Sequence, residues 1–494
     1  MRVLALVIGL MIAAATVPAS AALAAPSADH YLERAVRNAA KSQERSRDYL
    51  TPQYQQLLLA ELGRAAGEGV ETPPTDPDRL YATNLCGTGA PYCAGDVRLS
   101  RWAQDGHGLV EPVLYTARNG ATISGHVWAT RTGPTQRTGV VITPGSVQAP
   151  EPLYWWAAQV LAKAGYLVLT LDNQSQGRSD TFGAGPDFLS GQPQQATGET
   201  FFDGTQDGID FLLSTPEDAY CPRLSRAGID HCAAQQSRTA FNPFWHLVDH
   251  AAPVGLAGHS YGASAVSWVG QQDPRVGAVV AWDDLCDPTL PTRQLFSPGG
   301  APDLVVSQDF PVNCLGGGQL PAPQLRVPAL GITADYVFNP APFPAPPDPN
   351  AKARASHGYS AAGVDTGLIV IRGGTHFEWS YVAAPTFPAT LRGIDLSAWY
   401  TTAWFDKYLR ADHTADARLL TTRWQHDPVD AELDPTEDGN LFSWHYTSRF
   451  DIHLDDGERF HCQNLRSGCP GMTAEDRYSL EYGYLPIATS PDIS

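Results

Sequence analysis

The 494-residue sequence predicts an α/β protein: a mostly parallel sheet of eight strands with helices on both faces, helices before it and a small β element after it. Short apolar runs recur between Val113 and Ile371, separated by helical stretches, as expected of strands buried on both faces. The connections between them are long enough for the crossover helices that parallel strands require. The pentapeptide Gly258-His259-Ser260-Tyr261-Gly262 lies between the apolar run Pro253 to Ala257 and the small residues Ala263, Ser264 and Ala265. Strand, sharp turn, then helix, with a serine at the apex, is the context of a nucleophile elbow.

Residues 1–25 read as a secretory signal peptide. Arg2 is followed by the apolar stretch Leu4 to Val17 and by small-residue cleavage patterns near Ala21 to Ala25. The apolar stretch is short for a membrane span, so no stable membrane insertion is expected. Residues 26–110 form an N-terminal extension. In it Asp29 to Ala66 is helical and split by Pro52, with a Gly/Pro-rich break from Gly67 to Pro77.

Residues 111–410 form the central domain. Its first two strands are Val113 to Tyr115 and Ile123 to Ala129, paired around Asn119-Gly120. Val140 to Ile142, Tyr166 to Leu171, the elbow strand, Val276 to Trp282, Ala329 to Ile332 and Leu368 to Ile371 follow. Helices are expected at Trp155 to Ala164, Asp203 to Leu213 and Ser397 to Leu409. Long connections at Thr181 to Thr200, Glu217 to His250 and Asp283 to Arg326 would shape the crevice at the carboxyl ends of the strands. Residues 411–494 form a β-rich extension packed on the central domain, signalled by the alternation of Phe450, Ile452 and Leu454 before the turn Asp456-Gly457.

Composition excludes several classes. Lys and Arg total 33 against 52 Asp and Glu, a net charge of −19, which disfavours nucleic acid and anionic lipid as partners. The eight cysteines fall into four local couples, Cys86 with Cys93, Cys221 with Cys232, Cys286 with Cys314 and Cys462 with Cys469. They suit disulfides in an oxidising compartment, and no CxxC or CxxH spacing suggests a metal.

A serine nucleophile needs a base, and the base needs an acid. Asp335 follows the seventh strand and His376 the eighth, in the chain order Ser, Asp, His. The expected triad is therefore Ser260, Asp335 and His376. Asp283 and Asp284, after the sixth strand, are the alternative acids. Glu378 lies too near His376 in sequence to support its ring, His259 should point away from the hydroxyl, and His357 falls in a Pro-rich connection. The oxyanion donors expected are the N–H of Tyr261 and, in the loop Thr143-Pro144-Gly145-Ser146-Val147, that of Ser146.

From about Val113 to Leu409 the chain resembles the α/β-hydrolase superfamily, nearest to secreted bacterial cutinase-like and polyester hydrolases. The likeness rests on the elbow, on Pro144-Gly145, on Thr333-Ala334-Asp335-Tyr336 followed by Asn339-Pro340-Ala341-Pro342, and on the closing helix with Ala403-Trp404-Phe405-Asp406-Lys407. It implies a substrate-packing aromatic at Trp282. Ser146 departs from it, standing where those enzymes place an aromatic. The expectation is a secreted, monomeric serine hydrolase of small or polymeric carboxylic esters, with no cofactor or metal. A peptidase or amidase on the same triad, and a catalytically silent binding protein, are the alternatives.

Overall fold

In the computed structural model all eight apolar runs are strands, and two more from the tail join the same sheet. The structure describes residues 30–68, 95–99, 106–146, 149–187, 199–290, 314, 321–382, 389–427, 430–431 and 439–473. The signal-peptide reading and the Cys86–Cys93 couple lie outside these residues.

The strands are β1 (Gly108–Thr116), β2 (Thr122–Thr130), β3 (Gly139–Thr143), β4 (Leu167–Leu171), β5 (Val254–His259), β6 (Val276–Trp282), β7 (Ala329–Ala334), β8 (Thr366–Ile371), β9 (Arg449–His453) and β10 (Arg459–Cys462). They form one ten-stranded sheet in the order β1-β2-β4-β3-β5-β6-β7-β8-β9-β10. The pairs from β4 through β3, β5, β6 and β7 to β8 are parallel. The β1–β2, β2–β4, β8–β9 and β9–β10 pairs are antiparallel. The class is α/β with a mostly parallel sheet, but the strand count exceeds the expected eight. Instead of packing as a separate element, the tail hairpin adds to the free edge of β8, where Gly367 faces Phe450.

Period-two alternation decides which residue meets which helix layer. The helices of eight residues or more among the described residues are α1 (Tyr31–Arg45), α2 (Pro52–Glu68), α3 (Trp155–Lys163), α4 (Glu199–Leu212), α5 (Tyr261–Gln272), α6 (Arg354–Ala361) and α7 (Leu391–Arg410). Val140, Ile142, Ala278, Val280 and Trp282 pack with Trp156 and Leu161 of α3 and with Trp399 and Trp404 of α7. Val141, Leu256, Val279 and Ala281 pack with Phe202 and Ile209 of α4 and with Val266 and Trp268 of α5. The strands are thus apolar on both sides, and β3 to β8 are almost wholly buried.

Pro52 opens α2, as the fixed φ of proline permits at a first helical position. Its partner α1 is clamped to the loop after β8. Arg45 of α1 pairs with Asp430 at 3.0 Å and donates to the Arg372 carbonyl, and Ser42 donates to the Gly373 carbonyl. At φ 69°, Gly373 leaves no room for a side chain, because a Cβ there would lie 2.5 Å from Lys41 Cβ. The N-terminal helices therefore brace the central domain at the loop that leads to His376.

Cys221–Cys232, Cys286–Cys314 and Cys462–Cys469 are disulfide-bonded, each with its nearest neighbour in sequence. Among the described residues, no helix is long and apolar enough to cross a membrane.

Candidate active site

Ser260 sits between β5 and α5 with φ 57° and ψ −118°, a conformation rare outside glycine. Close packing around the pentapeptide holds it there. A Cβ on Gly258 would lie 2.5 Å from the Gly262 carbonyl oxygen, and one on Gly262 would lie 2.3 Å from that of Thr143. Both glycines are required by backbone contact, as the motif predicts. The Ser260 N–H donates to the Trp282 carbonyl at 3.0 Å, tying the elbow to the end of β6.

His376 Nε2 lies 3.0 Å from Ser260 Oγ, and Nδ1 lies 2.5 Å from Asp283 Oδ2. The other Asp283 oxygen accepts from the Thr333 hydroxyl. Burial raises the Asp283 pKa, but the bond to His376, the His376 and Lys352 charges and the Thr333 bond outweigh it and bring the carboxyl down to about 2. The ionised carboxylate accepts from Nδ1–H, which leaves Nε2 as the acceptor for the serine hydroxyl. Asp284, next in the chain, is pushed well above the ordinary carboxyl range by burial and by the Asp283 charge.

Asp335 was the expected acid, and it does not reach His376. It is fully buried, with Oδ2 accepting from Asn38 Nδ2 and from the Gly373 N–H, both at 2.7 Å, and Oδ1 accepting from the Ser443 hydroxyl. Its donors come from α1, the β8 loop and the tail, so it joins three segments distant in sequence. The place expected for it is taken by Asp283, whose own φ is 39°. The strands β6 and β7 both end in a carboxylate, and the loop after β6 delivers its carboxylate to the ring.

Trp282 also differs from expectation. Its side chain is fully buried, its Nε1 donates to Thr401 Oγ1 at 3.2 Å, and it packs on Trp156 with ring centroids 5.3 Å apart. Strand parity sends it into the core beneath α7, so it cannot touch a substrate. An exposed aromatic that does stand beside His376 is Phe338, 50 % exposed, with its ring centroid 5.9 Å from the imidazole.

At the oxyanion side, Tyr261 is the first residue of α5, and its N–H belongs to a helix turn that has no intrahelical acceptor. A Cβ on Gly145 would lie 3.3 Å from Ser260 Cβ, so the loop after β3 runs directly against Ser260. The Gly145 N–H is occupied, donating to the Tyr154 hydroxyl at 2.9 Å. Ser146 follows it and is half-buried.

His259 links this loop to that of His376. Its Nε2 is 2.8 Å from the His376 carbonyl, which only accepts, so Nε2 carries the proton. Its Nδ1 then accepts from the Tyr154 hydroxyl at 2.8 Å. Burial, with the nearby His376, pulls His259 down to about 3 and keeps it neutral. Its ring nitrogens are engaged by the His376 carbonyl and the Tyr154 hydroxyl, which ties together the two loops that flank the Ser260 hydroxyl. His357 lies on α6 and is exposed.

Glu378 faces the start of α7, where Oε1 accepts from the N–H and hydroxyl of Thr390. Burial raises its carboxyl to about 7, against the Thr390 bonds and the Arg45 charge. A folded-state value above the ordinary ~4.3 means that folding takes up a proton. The resulting stability is full below about pH 4 and is lost as pH rises through about 7, on the order of 3 kcal/mol. Glu378→Gln keeps the acceptor and removes the titration. Its melting temperature between pH 5 and pH 8 should fall less steeply than that of the wild type, and parallel curves would refute a buried, titrating Glu378.

In comparison with known proteins, no family model matches the chain and no curated protein matches it significantly.

Proposed function

We propose that this chain is a serine hydrolase of carboxylic esters, working through an acyl-enzyme on an α/β-hydrolase scaffold. The observation that carries it is the continuous contact from Asp283 through His376 to Ser260, at the carboxyl ends of β6, β8 and β5. The parallel run from β4 to β8 with the serine at the end of β5, and the positive φ at the elbow, support the scaffold. Three disulfides favour export to an oxidising compartment.

In this scheme Ser260 Oγ attacks the ester carbonyl while His376 Nε2 takes its proton. Asp283 holds the ring and stabilises the imidazolium. The N–H groups of Tyr261 and Ser146 receive the oxyanion. Collapse of the tetrahedral adduct expels the alkoxide, which takes the proton from Nε2. Water, deprotonated by the same nitrogen, then attacks the acyl carbon, and the acid leaves as Ser260 regains its proton. A polyester substrate is not part of the proposal, because Trp282 is in the core and Ser146 offers no ring.

A fluorophosphonate probe should label Ser260, and Ser260→Ala should abolish both labelling and hydrolysis of nitrophenyl esters. Unlabelled wild type would mean a silent binding scaffold, and cleavage of aminoacyl amides in preference to esters would mean a peptidase.

The His259 network gives a finer expectation. His259→Phe keeps a ring against His376, which it meets at 4.7 Å between centroids, but breaks the link between the loops of His376 and Gly145. Small misplacements of reacting groups are costly, so kcat should fall on the order of tenfold with KM little changed. Tyr154→Phe should do the same. An unchanged kcat in both variants would show that the network does not position the site.

A further inference from the structure

We infer that Phe338 and Phe377 form a subsite for the alcohol portion of the substrate, which defines that substrate as an ester of an apolar, aryl or alkyl, alcohol. The inference rests on the ester-hydrolase reading above and adds the side of the ester that the enzyme selects.

Three rings meet at the base. Phe338 stands edge-on to His376 at 5.9 Å and tilted against Phe377 at 5.8 Å, and Phe377 lies 5.9 Å from His376. The cluster is fixed to the catalytic geometry, because the His376 N–H donates to the carbonyl of Val337, the residue before Phe338, at 2.7 Å. A second link, from the Tyr336 N–H to the Gly374 carbonyl at 3.0 Å, holds the same two loops together. Phe377 is half-buried, whereas Phe338 is 50 % exposed. Few large apolar side chains are exposed among the described residues, and Phe338 is the one in contact with a member of the triad.

Chemistry says which part of an ester comes there. In the acylation step Nε2 of His376 passes its proton to the leaving alkoxide, so the alcohol oxygen must be within hydrogen-bond reach of that ring. The group attached to that oxygen therefore lies beside His376, where the exposed ring stands. An apolar group there covers ring surface that otherwise faces water, and each methylene so buried strengthens the contact roughly fourfold.

The test uses the full-length protein and two ester series. One holds the acyl group as acetate and varies the alcohol from methyl through butyl and hexyl to benzyl. The other holds the alcohol as methyl and varies the acyl chain over the same groups. For wild type, kcat/KM should climb along the alcohol series, and Phe338→Ala should cut the benzyl-to-methyl ratio by on the order of tenfold, with Phe338→Trp restoring most of it. The acyl-series ratios should shift less than twofold in both variants. Phe338 is a surface residue, so its variants should melt near the wild-type temperature. A drop confined to the acyl series, or equal kcat/KM loss along both, overturns the assignment. Absence of any Ser260-dependent hydrolysis by wild type overturns the ester reading and the subsite together, whereas hydrolysis that Ser260→Ala abolishes but whose benzyl-to-methyl ratio Phe338→Ala leaves unchanged overturns the subsite alone.

Discussion

Asp283→Asn should lower kcat by roughly ten-thousandfold while KM changes little, because an amide facing Nδ1 favours the wrong tautomer and removes the charge that stabilises the imidazolium. The neighbouring substitutions separate this role from mere proximity. Burial and the Asp283 charge push the Asp284 carboxyl towards its uncharged form, so Asp284→Asn should cost less than tenfold. Asp335→Asn acts on stability. Three donors converge on that carboxylate, from Asn38, Gly373 and Ser443, and an asparagine can turn only one acceptor oxygen towards them. Its amide would face at least one N–H or O–H, a conflict worth about 1–3 kcal/mol. A lowered melting temperature is expected, with kcat of the folded protein within tenfold of wild type. Nitrophenyl ester kinetics and thermal melts on the three variants decide it. A ten-thousandfold loss in Asp335→Asn, with Asp283→Asn active, would return the acid to the end of β7.

The strands, the serine and the histidine were legible because each depends on local pattern. An apolar run followed by a turn names a strand end, and both Ser260 and His376 stand at such ends. The acid was not legible, because β6 and β7 both present a carboxylate at that level. The choice between them was made elsewhere in the chain. Asn38 on α1 and Ser443 in the tail, both distant in sequence, satisfy Asp335 and hold it away from the ring. The burial of Trp282, by contrast, was readable. Ala278, Val280 and Trp282 share one parity of β6, and that parity faces the helix layer containing Trp399 and Trp404. The tail's alternation announced strands, but their partner is the free edge of β8, a fact of tertiary pairing that no local pattern carries.

Gly262→Ala should be among the most damaging single substitutions available, and Gly63→Ala, the same chemical change, should stabilise. At Gly262 the added methyl would stand 2.3 Å from the Thr143 carbonyl oxygen and 2.4 Å from that of Pro144. Both are backbone atoms at the end of β3, a strand buried between β4 and β5, and they cannot swing aside as a side-chain tip would. Relief requires α5 to part from the β3 loop, which displaces the Tyr261 N–H and Gly145 together. Overpacking of this kind costs about 1–3 kcal/mol or more, and here the displaced groups are those that flank Ser260. Fluorophosphonate labelling of the folded fraction should therefore slow at least a hundredfold, roughly the loss seen when an oxyanion donor is removed. Gly63 lies exposed within α2 with nothing within 4 Å of its missing Cβ. There alanine reduces the entropy lost on helix formation and should add about 0.5–1 kcal/mol. Opposite shifts in melting temperature would locate the cost of Gly262→Ala in the elbow's contacts. If Gly262→Ala melts and labels like wild type, β3 and α5 are not in the contact that holds Ser260 at positive φ, and the elbow would need another origin.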